Sequence, residues 1–427
     1  MKNLLPLTLC VSLLVAAPVI AQDSLSLQAC IDLALKNNYA VKNSQLELTA
    51  ALQTRRAAVT NYFPQIGAGG LQFHAEQPLM AFGSGSESMG LLEKGSVAYV
   101  GAVQPLFAGG RILNGNKLAS LGVEVARSKG ARTRDEVVLQ TEVQFWQVIS
   151  LQEKTRTIRA YEQMLDSLQS QVEDAYASGV VMQNDLLKVR LQRSEVMLNK
   201  SQLSNRLTLA SMAFCQYLGL PLNSDLVLRD SLAIDGPPQP LRVDHSRALT
   251  ARSEYKLIEL SVEAEKLQTN LVRGEYLPQV AVGANYQRLK FDDGDSRSFG
   301  MVYGTISVPI SDWWRGSHEL SKRKQQQRIA ENNFRDNAEQ LLLQMEKSWQ
   351  DLTDAYTQVL LGEEAQRQAA ENMKVNQDSY DNGLTPVSDL LEARALLQQA
   401  QDQAVEARAH YLTQRSHYLQ ATGRLQH

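Results

Sequence analysis

The sequence predicts a mainly α-helical chain with a small transmembrane β part, the whole built as an internal duplication. Three features predict it: a residue pattern that returns at a fixed offset, two proline-free stretches of 66 residues each, and four short segments of alternating polarity. Composition frames the reading. With 43 Lys+Arg against 46 Asp+Glu the formal charge is −3, which leaves no basic footprint for nucleic acid. Hydrophobic residues at 44% and charged residues at 21% put the chain outside the disordered class. Three cysteines are too few for a disulfide framework. Beyond residue 21 no stretch is long and apolar enough for a transmembrane helix.

The N-terminus speaks to compartment. Lys2 precedes an apolar run from Leu4 to Ile20, and Val19-Ile20-Ala21 supplies the residues of a cleavage site. Residues 1–21 therefore read as a secretory signal peptide, with Cys10 inside it. Cys30 follows Leu27-Gln28-Ala29, a poor lipidation site too far past the apolar run, so no lipid anchor is expected.

The duplication is read from spacing. Tyr62-Phe63-Pro64-Gln65-Ile66 returns as Tyr276-Leu277-Pro278-Gln279-Val280, an offset of 214 that Leu27, Ala34 and Leu35 share with Leu241, Ala248 and Leu249. Tyr176-Ala177-Ser178-Gly179 with Asp185-Leu186-Leu187 returns as Tyr380-Asp381-Asn382-Gly383 with Asp389-Leu390-Leu391, at an offset of 204 that also relates Pro105 to Pro309, Arg190 to Arg394 and Gly219 to Gly423. The ten-residue change falls between Pro64 and Pro105, so the copies differ mainly in one loop. The expected division is a first repeat over 22–221, a linker over 222–240 containing Asp235-Gly236-Pro237-Pro238, and a second repeat over 241–427.

Each repeat has the same order: helix, two strands, long helix, helix. A helical stretch over 27–61 ends ahead of Pro64, which biases its predecessor away from helix. Val280, Val282, Ala284 and Tyr286 alternate with Gln279, Ala281, Gly283 and Asn285; Val97, Tyr99, Gly101 and Val103 alternate with Ala98, Val100, Ala102 and Gln104. These are period-2 strands with an apolar face and a small or polar face. Loops rich in Gly, Ser and Asp join them, Phe82 to Ser88 in one copy and Asp292 to Ser296 in the other. The strands are expected to close at Pro105 and Pro309, where a missing donor is tolerated. Long helices over 111–176 and 315–380 follow, each spanning roughly 100 Å. Tyr161, Leu165, Leu168, Val172 and Ala175 step by 4 and 3 as a coiled-coil seam, which Leu187, Leu191, Ser194 and Leu198 continue. In the second copy the seam is Leu390, Ala393, Leu397, Ala400, Ala404, Ala407 and Tyr411. The 35-residue stretches 27–61 and 184–218, end to end, match one long helix at about 105 Å, which suggests a packed rod.

Strands of about 10 residues suit a tilted membrane span. Four cannot close a barrel, and an open edge is not viable in lipid. Several chains must therefore share one barrel, and three chains give twelve strands, within the usual even-numbered range. Phe107, Trp313 and Trp314 fall at the strand-to-helix junction, where membrane-interface aromatics sit.

With these features in place, the chain resembles the TolC-type outer membrane efflux family. The carriers are Leu25-Ser26-Leu27-Gln28-Ala29-Cys30-Ile31-Asp32-Leu33-Ala34-Leu35-Lys36-Asn37-Asn38, the two Tyr-x-Pro-Gln strand starts and the two Tyr-x-x-Gly turns with their following Asp-Leu-Leu. They span essentially the whole mature sequence, and their order, duplication and spacing are specific together rather than singly. The resemblance implies a homotrimer whose strands form a trimeric 12-stranded β-barrel in outer membrane lipid, with a long antiparallel coiled-coil α-barrel through the periplasm. It further implies an exit duct of a tripartite efflux or type I secretion system, docked to a periplasmic adaptor (membrane fusion) protein and an inner-membrane pump, needing no cofactor.

The same resemblance assigns roles at the far ends of the long helices. Gly179 and Gly383 end them, a position that suits glycine at positive φ, and Val180, Val181, Leu384 and Val387 become exposed apolar contacts for the adaptor. Asp389 and Glu392, on adjacent helix surface, become the pore constriction, each a ring of three negative charges under threefold symmetry; Asp389 also reads as a plain helix cap. Asp185 and Tyr380 match two gate-latch positions. Thr385 stands where a familiar family pattern has Arg, so that link is missing.

Other residues carry less. His410 and His417 are seven apart on one helix, His245 opens the second repeat, and without a third convergent ligand all read as surface histidines. Cys30 and Cys215 read as free buried thiols, and Trp146 and Trp349 as packing residues. No phosphate loop, nucleophile elbow or zinc signature appears, so no enzymatic chemistry is expected. The rival readings are a periplasmic adaptor, which carries one hairpin and compact β-domains, and a structural coiled-coil protein without a pore.

Overall fold

The computed structural model describes residues 25–76, 80–82, 89–91, 94–224, 226–291 and 296–425. The signal peptide over 1–21, the loop residues 83–88 and 292–295, and linker position Asp225 lie outside them. The first repeat runs α1 (Leu27–Asn37), α2 (Tyr39–Val59), a 3-10 turn (Thr60–Tyr62), β1 (Gln65–His74), β2 (Met80–Phe82), β3 (Met89–Leu91), β4 (Lys94–Ala108), α3 (Arg111–Ala177) and α4 (Gln183–Leu218). The second runs α5 (His245–Ala248), a 3-10 turn (Leu249–Ala251), α6 (Ser253–Glu275), β5 (Gln279–Phe291), β6 (Ser296–Ser307), α7 (Asp312–Asp381) and α8 (Val387–Ala421).

The first helix of each repeat is not continuous, a correction to the single stretch expected over 27–61. Asn38 takes an extended backbone (φ −60°, ψ 134°) and its side-chain oxygen accepts the Ala40 amide at 2.8 Å, so it ends one helix and caps the next. Arg252, at the same repeat position, has φ −77° and ψ 136°. Its buried guanidinium donates to Gln344 at 3.1 Å and pairs with Glu254 at 3.2 Å. The long helices hold. α3 has 67 residues and α7 has 70, neither interrupted by proline. α7 starts three residues earlier than expected, which brings Trp313 and Trp314 into its first turn.

By its internal contacts the chain divides into two compact units. One comprises the segment up to Ala34, Gln144–Ala233 and Gln366–Ala409. Its core joins Leu165, Leu168 and Val172 of α3, Leu186, Val189 and Val196 of α4, Met373 of α7, and Val387, Leu390, Leu391 and Ala393 of α8. Each fully buried leucine there is worth about 1.5–3 kcal/mol. The expected α4 seam is out of phase: Leu187, Leu191 and Leu198 are exposed, and the buried row starts one residue earlier, at Leu186. Elsewhere in this unit Phe145 packs edge-on against Trp146 and Phe214 at centroid distances of 5.0 and 6.3 Å. Asp230 accepts the Leu27 amide at 2.8 Å, so the linker caps α1. Cys30 and Cys215 are free and fully buried, and burial, aided by the Asp230 charge, pushes the Cys30 thiol up to about 12.

The other unit comprises Leu35–Val143, Ile234–Ala365 and the segment from His410. Here His245 is not a surface residue. Its Nε2 lies 3.2 Å from the Tyr418 hydroxyl and its Nδ1 3.4 Å from Glu346, while the Trp349 ring stacks on Tyr418 at 5.2 Å. His417 is half-buried too, and burial lowers its pKa. Tyr418 is fully buried and also accepts the Val243 amide, so this cluster ties α8 to the start of the second repeat.

The same unit holds an antiparallel sheet in the order β1-β4-β5-β6, with β2 and β3 pairing as a separate hairpin. The two repeats therefore meet at the β4–β5 ladder. β4 does not stop at Pro105 as expected. It continues to Ala108 through a register shift between Pro105 and Phe107, a bulge that accommodates the missing amide donor. In each repeat a tyrosine lies across a glycine on the partner strand: Tyr99 over Gly69 and Tyr303 over Gly283, where a Cβ would sit 2.7 and 2.4 Å from ring atoms.

Candidate functional site

The two helix turns of the first unit are built alike. Gly179 (φ 75°) and Gly383 (φ 70°) take the left-handed conformation. The glycine amides donate to Tyr176 and Tyr380, and the next amides, of Val180 and Leu384, donate to Ala175 and Ser379 at 2.9 and 2.8 Å. Each turn thus satisfies the last carbonyls of its long helix. Val180 and Leu384 stand out at 77% exposure each. The other two expected contacts do not. Val387 is 4% exposed, within the core under α8, and Val181 packs against that core, because each lies where its short helix turns back onto the long one.

Asp389 and Glu392 are both exposed. Asp389 is the third residue of α8, and its carboxylate accepts from the Ser388 hydroxyl at 3.2 Å. In the first hairpin the equivalent positions are Asp185 and Lys188, 3.6 Å apart as an ion pair. The second tip thus has two acids where the first has an acid–base pair.

At the expected latch, the Tyr380 phenol is pushed up by burial and then by the charges of Asp185 and Asp381, so the Asp185 carboxylate is near it. The Asp185 carboxylate pairs in this structure with Lys188 at 3.6 Å. Thr385, at the position where the family pattern has Arg, buries its hydroxyl without a hydrogen-bond partner.

Sequence reasoning missed the cross-turn links. Arg190 donates to Glu173 at 2.9 Å in the first hairpin, and at the same repeat positions Arg394 donates to Gln377 at 3.2 Å. The first hairpin adds Arg193–Asp166 at 2.6 Å and Lys200–Glu162 at 2.5 Å, whose equivalents in the second are Leu397, Ala370, Ala404 and Gln366. It also missed a polar cleft of about 430 Å³ among α3, α4 and α8, lined by Lys154, Tyr161, Gln192, Gln398, Asp402 and Glu406. There Gln398 donates to Thr157 and Asp402 at 3.1 Å each, Lys154 pairs with Glu406, and burial raises the Asp402 pKa. The glutamine-rich run from Gln398 to Gln403 was the available signal.

In the sheet, the registers assign two faces. One carries Ile66, Ala68, Val100, Ala102, Gln104, Val280, Val282, Ala284, Tyr286, Val302 and Ile306; the other mixes Gln65, Gly67, Tyr99, Gly101, Gly283, Asn285, Gln287, Tyr303 and Thr305 with Leu71, Val97, Val103, Leu289, Phe299 and Met301. Val302, Ile66 and Ile306 are 82, 76 and 75% exposed, an apolar surface with no cover in the single chain. Phe107 opposes Val280 on that face, and Trp314 is exposed beside the helix-proximal end of the sheet.

Residues 30–220 and 246–424 match the family model described as outer membrane efflux protein. The chain belongs to the outer membrane efflux protein family. Solved structures agree in fold. The outer membrane protein VceC from Vibrio cholerae is 15% identical, with a TM-score of 0.76 over 93% of this chain and 96% of that one. The Campylobacter jejuni CmeC outer membrane channel is 15% identical, with a TM-score of 0.80 over 93% and 86%. The open state of the Neisseria gonorrhoeae MtrE outer membrane channel is 15% identical, with a TM-score of 0.72 over 93% and 89%. No curated protein matches the sequence. As an outer membrane efflux protein, the chain is a channel component of the cell outer membrane whose helical part extends into the periplasm.

Proposed function

We propose that three copies pool their sheets into one twelve-stranded barrel and act as a passive exit duct of a tripartite efflux or type I secretion system. The observation that carries this reading is the open sheet: β1 and β6 are unpaired edges of a four-stranded sheet with one uncovered apolar face. Such edges are not viable in lipid unless another chain continues the ladder. The apolar face then meets lipid and the glycine- and amide-bearing face lines the lumen. Phe107, Trp313 and Trp314 lie at the periplasmic interface.

The periplasmic gate lies at the helix tips. Asp389 and Glu392 form the constriction, two unneutralised carboxylates per chain, and select against anions. Asp185 and Tyr380 act as the latch, with Thr385 in place of a charged link. Gly179 and Gly383 shape the tips that an adaptor touches through Val180 and Leu384. The duct performs no bond chemistry; the pump supplies the energy. Conductance of purified, detergent-extracted protein in a planar bilayer tests this, beside an Asp389→Asn/Glu392→Gln variant. Small cation-selective steps that grow larger and less selective in the variant support both duct and gate. Channels indifferent to the substitutions remove the gate from these residues. Folded protein that forms no channels would return the chain to a periplasmic coiled-coil or adaptor role.

A further inference from the structure

The registers that sort the sheet's apolar side chains also sort its charges. The four strands carry Lys94, Arg288, Lys290 and Arg297, and no carboxylate. Arg297 opposes Leu289 on the proposed lumen face. The other three share the face of Val280, Ala284 and Tyr286, and all three are exposed. Arg288 lies between Ala98 and Ser298, Lys290 between Ser96 and Ser296, and Lys94 opposite His74. Small neighbours flank Arg288 and Lys290, whose long side chains are exposed. Adjacent strands are about 4.8 Å apart and same-face residues about 7 Å, so the cations crowd into a patch about 15 Å across.

Their height on the sheet is as informative as their sign. The apolar rows begin at Val280, near the helices, and end at Tyr286; Arg288 is the next residue on that face. From Val280 to Arg288 is about 27 Å along the strand, or about 20 Å along the membrane normal at the usual barrel tilt, close to the height of an apolar barrel band. The cations therefore begin where hydrocarbon ends, at the border away from the periplasmic helices.

We propose that Arg288 and Lys290 hold the phosphate of an anionic lipid headgroup in the distal leaflet. The inference rests on the reading of the sheet as part of a membrane-spanning barrel. An arginine fork and a lysine on one exposed face, with serine hydroxyls between them, match a phosphate in charge and in hydrogen-bond donors. The apolar rows below take the acyl chains of the same lipid. In sequence Lys290 is followed closely by Asp292, Asp293 and Asp295, outside the described residues, so neutralisation by those carboxylates is the competing outcome.

The test uses the full chain and its Arg288→Gln/Lys290→Gln variant, both reconstituted in phosphatidylcholine vesicles containing a minor fraction of phosphatidylglycerol. Lipids retained after gentle extraction are counted by native mass spectrometry, and single-channel conductance is recorded from the same preparations. The expected result is several-fold enrichment of phosphatidylglycerol on the wild type, undiminished by excess inorganic phosphate and lost in the variant, with conductance unchanged. Equal lipid ratios on both proteins, with channels present, overturn this inference alone. Enrichment displaced by inorganic phosphate overturns the headgroup assignment. Absence of channels from both proteins overturns the barrel reading beneath it.

Discussion

The α3/α4 and α7/α8 hairpins correspond residue for residue at an offset of 204, with the same glycine turn and the same arginine eleven residues further on. They differ in how they hold charge. The first is fastened by Asp185–Lys188, Glu173–Arg190, Asp166–Arg193 and Glu162–Lys200. In the second, Arg394 donates to Gln377 where the first pairs Arg190 with Glu173, and Asp389 and Glu392 stand side by side. Its α8 seam is narrow, with Ala393, Ala400 and Ala404 buried, and Ala404 and Leu397 stand where the first hairpin has Lys200 and Arg193. The difference teaches that near the turns one hairpin sets bases against its acids, whereas the other sets two acids side by side.

The strongest way to break this contrast is to exchange the tip charges. Glu392→Lys gives the second tip the pairing of the first and is expected to abolish cation preference in planar-bilayer recordings, whereas Lys188→Glu should leave it close to wild type. Next come the equivalent core leucines, Leu186 and Leu390, both buried in the same cluster. Truncation of either to Ala is expected to cost about 2–5 kcal/mol, read as a loss of unfolding free energy in detergent. If only one is costly, the shared core is not shared in energy. Gly179→Ala and Gly383→Ala should each cost about 1–2 kcal/mol, and equally, since both have positive φ and open space around an added Cβ. Unequal losses would mean that the tips differ in backbone as well as charge.

The smallest effect concerns pH. The carboxyl of Glu173 is held below its ordinary 4.5 by hydrogen bonds from Gln169 and Arg190. A lowered folded value means that its stabilisation is present above 4.5 and lost as pH falls through the folded value. Hydrogen exchange at the end of α3 should therefore quicken on acidification in the wild type, and less so in Glu173→Gln; the Gln377 hairpin should show no such difference. An identical acid response in the two hairpins would erase the distinction drawn between their links.

Much of this architecture was legible beforehand. Offsets kept over a hundred residues gave away the duplication, and the absence of proline bounded α3 and α7 to within a few residues. What was illegible depended on competition between neighbours. Asn38 ends α1 because its side chain caps α2, which spacing cannot distinguish from a helical surface residue. In β4, Val97, Val100 and Val103 put apolar groups on both faces, so alternation alone does not choose a side; the ladder to β5 does. In α4 both Leu186 and Leu187 fit a seam, and only the packing of α3 and α8 selects the first. At the site, Asp389 and Glu392 were readable as two carboxylates just after a glycine turn, but the contrast with Lys188 emerged only when the two tips were compared in structure. Val387 was misread because its place in the core is set by α8 folding back, a long-range consequence.

The β4–β5 ladder has a consequence for descent. The last strand of one half pairs with the first strand of the other much as strands pair within each half, through an antiparallel register more than ten residues long. An ancestor bearing one half would have met a second copy of itself at that ladder, and under the proposed ring twice as many chains would have closed it. In such an ancestor every substitution was repeated at every position around the ring. Joining the halves in one gene ended that constraint. A lysine at 188 does not oblige a lysine at 392, so the two tips of one chain can carry different charges, an acid–base pair on one and two acids on the other.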